Sequence, residues 1–189
     1  MISNGIIFEA VVPIRCGNRK GTAFFIEPNR LITARHVVID ALRNKVPVEV
    51  ICKDVIRVCI DVQVIGADNV LSEITILTIN NYAHTPIIPL LSLPTKVNKK
   101  LFVAGYPLEI GNNCDLFDFE IHHTQTVTGN EYDVVASPKE LIPFTSYRGF
   151  SGSPIITDEG FAVGVITNQL SQNALSEWQR LSTSWALHV

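Results

Sequence analysis

The chain has 189 residues, 47% hydrophobic and 17% charged, which supplies a buried core and excludes a disordered chain. Its length suits one domain or two small halves sharing a cleft. A formal net charge of −3, with Arg19-Lys20 and Lys99-Lys100 as the only adjacent basic pairs, gives no electrostatic basis for nucleic-acid binding.

The start, Met1-Ile2-Ser3-Asn4-Gly5, lacks a basic leader, a sustained apolar stretch and a small-residue cleavage site, so a cytoplasmic location is expected. No stretch approaches the ~18 apolar residues of a membrane span, and no membrane partner is expected. Ile6 to Ile14, rich in apolar and β-branched residues, predicts a strand, and Gly17 to Gly21 a turn. Thr22 to Ile26 is the next strand, closed by the turn residues Glu27-Pro28-Asn29. Leu31 to Ala34 is a short strand running into His36, with a turn or two of helix over Val37 to Asn44. Strands follow at Val46 to Ile51, at Val55 to Ile65 with its alternating Val58, Ile60, Val62 and Val64, and at Glu73 to Ile79.

Asn80 to Lys100 contains Pro86, Pro89 and Pro94 and reads as a connector over the surface. The strand pattern then resumes at Leu101 to Gly105, Phe117 to Thr128, Tyr132 to Ala136, Pro154 to Thr157, Phe161 to Thr167 and Ser184 to Val189. Ala174 to Leu181 is a second helical candidate. Many short strands with turn punctuation predict an all-β barrel or sandwich, and two halves of roughly six strands each fit two barrels. The expected division is 1–82, a connector over 83–100, and 101–189. The four cysteines, Cys16, Cys52, Cys59 and Cys114, include no Cys-x-x-Cys pair, which points to free thiols in a reducing compartment and away from zinc.

The chemistry-bearing segment is Gly149-Phe150-Ser151-Gly152-Ser153-Pro154, one serine between two glycines ahead of an apolar run. A serine hydroxyl becomes a competent nucleophile only when a neighbouring base takes its proton. His36, directly after a short apolar strand, is the candidate base. Glu73 opens the run Ile74-Thr75-Ile76-Leu77, so a carboxylate stands at the mouth of an apolar strand, where it can be held against an imidazole. Asp68 and Asp61 are competing acids. His122 and His123 would point to opposite faces of a strand and are not expected to share a metal; no metal or other cofactor is expected.

Several segments, in this order, resemble a known family: Gly21-Thr22-Ala23-Phe24-Phe25-Ile26, Thr33-Ala34-Arg35-His36, Glu73-Ile74-Thr75-Ile76-Leu77, Gly105-Tyr106-Pro107, Gly149 to Pro154, and Phe161 to Ile166. Together they resemble the chymotrypsin-fold serine proteases of the bacterial trypsin-like peptidase kind, over almost the whole chain. The resemblance implies an all-β fold of two antiparallel barrels with the site in the cleft between them. It implies a serine endopeptidase working through an acyl-enzyme, with Ser151 as nucleophile and His36 as general base and then acid. The N–H groups of Gly149 and Ser151 would form the oxyanion hole. Glu73 stands where the family usually has Asp.

The family's specificity pocket places Thr145, six residues before Ser151, at the floor, Thr167, Asn168 and Gln169 along the wall, and Arg148 at the rim. The floor carries no acid, so cleavage after Lys or Arg is not favoured; a neutral polar, small or, through Arg148, acidic side chain is expected. The partner implied is a protein or peptide substrate. Small trypsin-like domains without a leader also resemble those of bacterial defence systems, in which a dedicated partner protein is the target. The alternative reading is a catalytically impaired binding module on the same fold, supported by the Glu73 substitution.

Overall fold

Alternation of buried and exposed residues, the usual mark of a sheet with one wet face, breaks down in three N-terminal strands, and the reason lies in how two barrels meet. The protein is represented by a computed structural model that describes residues 3–65, 74–80, 82, 86–91, 100–108, 113–127, 130–138, 148–170 and 180–184. The first sheet contains β1 (Val11–Cys16), β2 (Arg19–Glu27), β3 (Arg30–Ala34), β4 (Val48–Cys52), β5 (Val55–Val58), β6 (Asp61–Val64) and β7 (Ile74–Thr78). Their order is β5-β4-β1-β2-β3-β7-β6, with every neighbouring pair antiparallel. The second sheet is a closed antiparallel barrel of β8 (Leu101–Gly105), β9 (Asp115–Val127), β10 (Asn130–Pro138), β11 (Pro154–Thr157), β12 (Ala162–Leu170) and β13 (Arg180–Ser184).

The first sheet also curls on itself. Its two edges, β5 and β6, belong to one run of chain joined by Cys59 and Ile60. The Cys59 N–H donates to the Val48 carbonyl at 2.9 Å and the Ile60 N–H to that of Thr78 at 2.8 Å, so this short link touches both sides of the sheet. The single strand expected over Val55 to Ile65 is therefore split by the bend that brings the edges together. Two curled antiparallel sheets are the architecture the sequence pattern implied.

In β2, Ala23 and Phe25 face the interior of the first barrel with Leu31, Leu77, Val12 and Ile14. Phe24 faces the other way, joining Ile32, Ile74 and Ile76 against Ala104, Ile156, Ala162 and Val165 of the second barrel. The runs 22–25, 31–34 and 74–77 are thus buried on both faces, which requires continuous apolar or hydroxyl-bearing residues in place of alternation. Full burial of a side chain such as Phe24 or Ile32 contributes about 1.5–3 kcal/mol, so the barrel junction is a true core. By contrast β4, with one wet face, alternates along its length.

Three sequence expectations are corrected. Residues Asn4–Ala10 form a helix, α1, and strand β1 begins only at Val11. The helical register buries Ile7 and Ala10 at the barrel junction and leaves Ile6 and Phe8 exposed, so tertiary packing overrides the β-branched composition. The connector does not simply run over the surface: Ile88 is fully buried and its N–H donates to the Phe25 carbonyl at 2.8 Å. Beyond it, the Leu91 N–H donates to Ala162 and the Ala162 N–H to Pro89, both at 2.8 Å. Arg180 and Leu181, placed in a helix by the sequence, begin β13. The remainder of that candidate helix and residues 185–189 lie outside the described residues.

All four cysteines are free. Burial pushes the Cys59 and Cys114 thiols up to about 12, and burial also raises Cys16 and Cys52. A thiol raised in the folded state stabilises it fully below the ordinary value of 9.0, and that contribution is lost as pH climbs towards about 12. At pH 8 the native protein should react with Ellman's reagent at fewer than one thiol per chain within minutes, and at all four after unfolding in guanidinium. Fast reaction of two or more native thiols would contradict the burial described.

Candidate active site

The two catalytic candidates come together where one strand leaves its sheet. β3 ends at Ala34, and a 3-10 turn, Arg35–Val37, carries His36 away from the ladder before helix α2 (Ile39–Asn44). The turn is pinned on both sides of His36, because Ala34, Val37 and Val38 all pack into the first barrel's core while His36 stays half-buried. The β2–β3 register pairs Ala23 with Thr33, so the next residue on β2, Thr22, faces the point where β3 turns off.

The Gly149–Ser153 loop fills that gap. The Thr22 N–H donates to the Ser151 carbonyl at 2.8 Å, replacing the bond a longer β3 would have made. The loop is held equally firmly to its own barrel. The Gly152 N–H donates to Ile166 at 2.7 Å, the Ile166 N–H to Ser153 at 2.9 Å, and the Leu108 N–H to Arg148 at 2.8 Å. Phe150 is fully buried and packs edge-on against Phe117 with ring centroids 5.6 Å apart. Ser151 itself remains half-buried at the surface of this junction.

Gly149 and Gly152 have φ of +97° and +92°, values that L side chains avoid. At Gly152 space is as restrictive as angle, since a Cβ would run into the Thr22 carbonyl and the Thr33 hydroxyl. The Arg148 carbonyl is turned towards Leu108, and C=O and N–H lie on opposite sides of a trans peptide, so the Gly149 N–H points the other way. Among the described residues, neither the Gly149 nor the Ser151 N–H donates to a backbone carbonyl. Among the described residues these two N–H groups therefore have no backbone acceptor within the fold.

Glu73, Asp68 and Thr145 lie outside the described residues. Strand β7 starts at Ile74, which pairs with Ala34, two positions before His36. Asp61 is excluded as the partner of His36: it pairs with Thr78 at the opposite end of β7, roughly 13 Å along a strand rising ~3.3 Å per residue. Arg148 is exposed beside the loop. Thr167 is buried in β12 next to Ile166, at a bulge in the β12–β13 ladder. Asn168 and Gln169 continue the same strand. No group of three His, Cys, Asp or Glu side chains among the described residues could hold a metal ion, and no described helix is long and apolar enough to cross a membrane.

The sequence reading overlooked Thr22 and Thr33 as site residues. Their signal is a hydroxyl at a fully buried position in an otherwise apolar run, since a buried hydroxyl without a bonding partner would be costly.

The trypsin-like peptidase domain family matches residues 21–165. No curated protein sequence matches the chain. Among solved structures, the Rv3671c protease in its inactive form is similar with a TM-score of 0.65 and 25% identity, covering 95% of this chain and 87% of that one. The active form of the same protease from M. tuberculosis gives 0.66 and 23%, covering 95% and 79%. The serine endoprotease from Yersinia pestis gives 0.66 and 17%, covering 96% of this chain and 62% of that one.

Replacing Gly152 by Ala should destabilise the protein by about 2–4 kcal/mol, combining a left-handed backbone penalty with overpacking against Thr22 and Thr33. Urea unfolding of the variant measures it, and a midpoint equal to wild type would show that the junction is looser than described.

Proposed function

This chain belongs to the trypsin-like peptidase domain family, and we propose that it is a serine endopeptidase with a His36–Glu73–Ser151 triad. The observation that carries the proposal is the convergence of the His36 turn and the Ser151 loop on the end of β3, through the Thr22 to Ser151 hydrogen bond. In this reading the Ser151 hydroxyl attacks the scissile carbonyl while His36 takes its proton. The Gly149 and Ser151 N–H groups hold the oxyanion. His36 then protonates the leaving amine, and water, activated by the same imidazole, releases the acyl group from Ser151.

Glu73 is the acid of choice because it directly precedes Ile74, the register partner of Ala34, whereas Asp61 sits at the far end of the strand. Its extra methylene relative to Asp is accommodated chemically, since Glu serves the same role in other hydrolase folds. Arg148 at the rim and Thr167 on the wall strand, with Thr145 as floor, favour a neutral polar, small or acidic side chain at the primary pocket.

Three measurements test this. A fluorophosphonate probe should label wild type at Ser151 and leave Ser151→Ala unlabelled and inactive; an active Ser151→Ala would overturn the mechanism. Glu73→Ala should lower kcat by about 10⁴-fold, the scale known for disabling a triad acid. Unchanged turnover in Glu73→Ala with loss in Asp68→Ala would move the acid to Asp68. Profiling against a peptide library should show no preference for Lys or Arg at the cleaved position, and a strong basic preference would refute the pocket assignment.

A further inference from the structure

We propose that Thr22 is a positioning residue for the oxyanion hole, its hydroxyl setting the orientation of the Gly149 main chain; this rests on the proteolytic reading above. Thr22 is fully buried and uses every polar atom it has. Its Oγ1–H donates to the Gly149 carbonyl at 2.7 Å, and the same oxygen accepts from the Tyr106 N–H at 3.1 Å. Its N–H donates to the Ser151 carbonyl at 2.8 Å, and its carbonyl accepts from the Thr33 hydroxyl at 2.7 Å. One residue of the first barrel thus grips both sides of the nucleophile loop, the Gly105-Tyr106-Pro107 turn of the second barrel, and the strand that leads into His36.

The consequence for chemistry follows from which peptides are held. The Arg148 carbonyl is fixed by Leu108 and the Gly149 carbonyl by the Thr22 hydroxyl, so the peptide planes on both sides of Gly149 are set. The Leu108 bond orients the peptide that carries the Gly149 N–H, and the Thr22 bond orients the next peptide, which leads to Ser151. Glycine at a φ of +97° has few steric restraints of its own, so these bonds hold the main chain that bears both donors. Without the hydroxyl, the Gly149–Phe150 peptide loses its anchor and Tyr106 loses its acceptor. The Thr22 to Ser151 main-chain bond would remain. The expected defect is therefore in transition-state stabilisation, with substrate binding preserved.

The test compares Thr22→Val, Thr22→Ala and Thr22→Ser with wild type, each checked for folding by thermal unfolding. Loss of one oxyanion donor costs about 10²–10³ in kcat, and a misdirected one should cost part of that. The valine and alanine variants should lose about 10–100-fold in kcat with KM within about threefold. Affinity for a peptide boronic acid, whose tetrahedral adduct places an oxygen in the hole, should weaken in parallel. Thr22→Ser, which keeps the hydroxyl, should recover kcat to within about threefold of wild type. Wild-type kcat and boronate affinity in the folded alanine variant would overturn the proposal, as would a serine variant as impaired as valine. A wild-type protein that neither reacts with fluorophosphonate nor cleaves peptides would instead overturn the proteolytic reading itself.

Discussion

An unfinished rung in a strand ladder governs the arrangement of this molecule. Because β3 leaves the sheet at Ala34, the main chain of Thr22 on β2 faces a position without a strand partner. A buried backbone group left in that condition costs ~1–3 kcal/mol, so the fold must complete the rung from elsewhere. It does so with the Ser151 carbonyl from the second barrel and the Thr33 hydroxyl from the first. The departure of β3 creates the His36 turn, and the vacancy it leaves recruits the Ser151 loop. Proximity of the His36 turn and the Ser151 loop is thus a product of hydrogen-bond satisfaction as much as of side-chain packing.

The same strands explain why two barrels share one core. Phe24, Ile32, Ile74 and Ile76 cover the outer face of the first sheet and meet Ile156, Ala162 and Val165 from the second. Neither sheet could leave these residues in water without exposing a continuous apolar surface. The short contact at Gly105, whose Cβ would collide with the Ser153 hydroxyl and press on Phe150, brings the second barrel's first strand directly beneath the Ser151 loop. Loop, turn and barrel junction are therefore one packed unit.

Much of this was legible in the sequence, and the exceptions have physical causes. Period-2 runs and turn residues marked most strands, and Leu101–Gly105 and Pro154–Thr157 fall where the pattern put them, because strands with neighbours on both sides leave a clear apolar signature. The Ser151 and His36 segments were legible because the glycines and the apolar strand before the histidine answer local demands. Ile6 to Ala10 misled, since its β-branched residues serve a helical face that only the second barrel reveals. Ile88 escaped notice for a similar reason: prolines advertised an irregular segment, but nothing local announced that the segment is buried. Thr22 was silent as a site residue because its importance lies in four bonds to distant segments.

The segment 86–91 joins the two barrels by bonding to both. Its main chain is tied to Phe25 on one side and doubly to Ala162 on the other, with Leu90 aligned parallel to Ala162. Prying the barrels apart would break either the Phe25 bond or the two to Ala162 and expose Ile88, at a cost of about 3 kcal/mol. A state that costly is populated at the order of 1% or less. The linker acts as a strap bonded to both halves, so it resists any hinge between them.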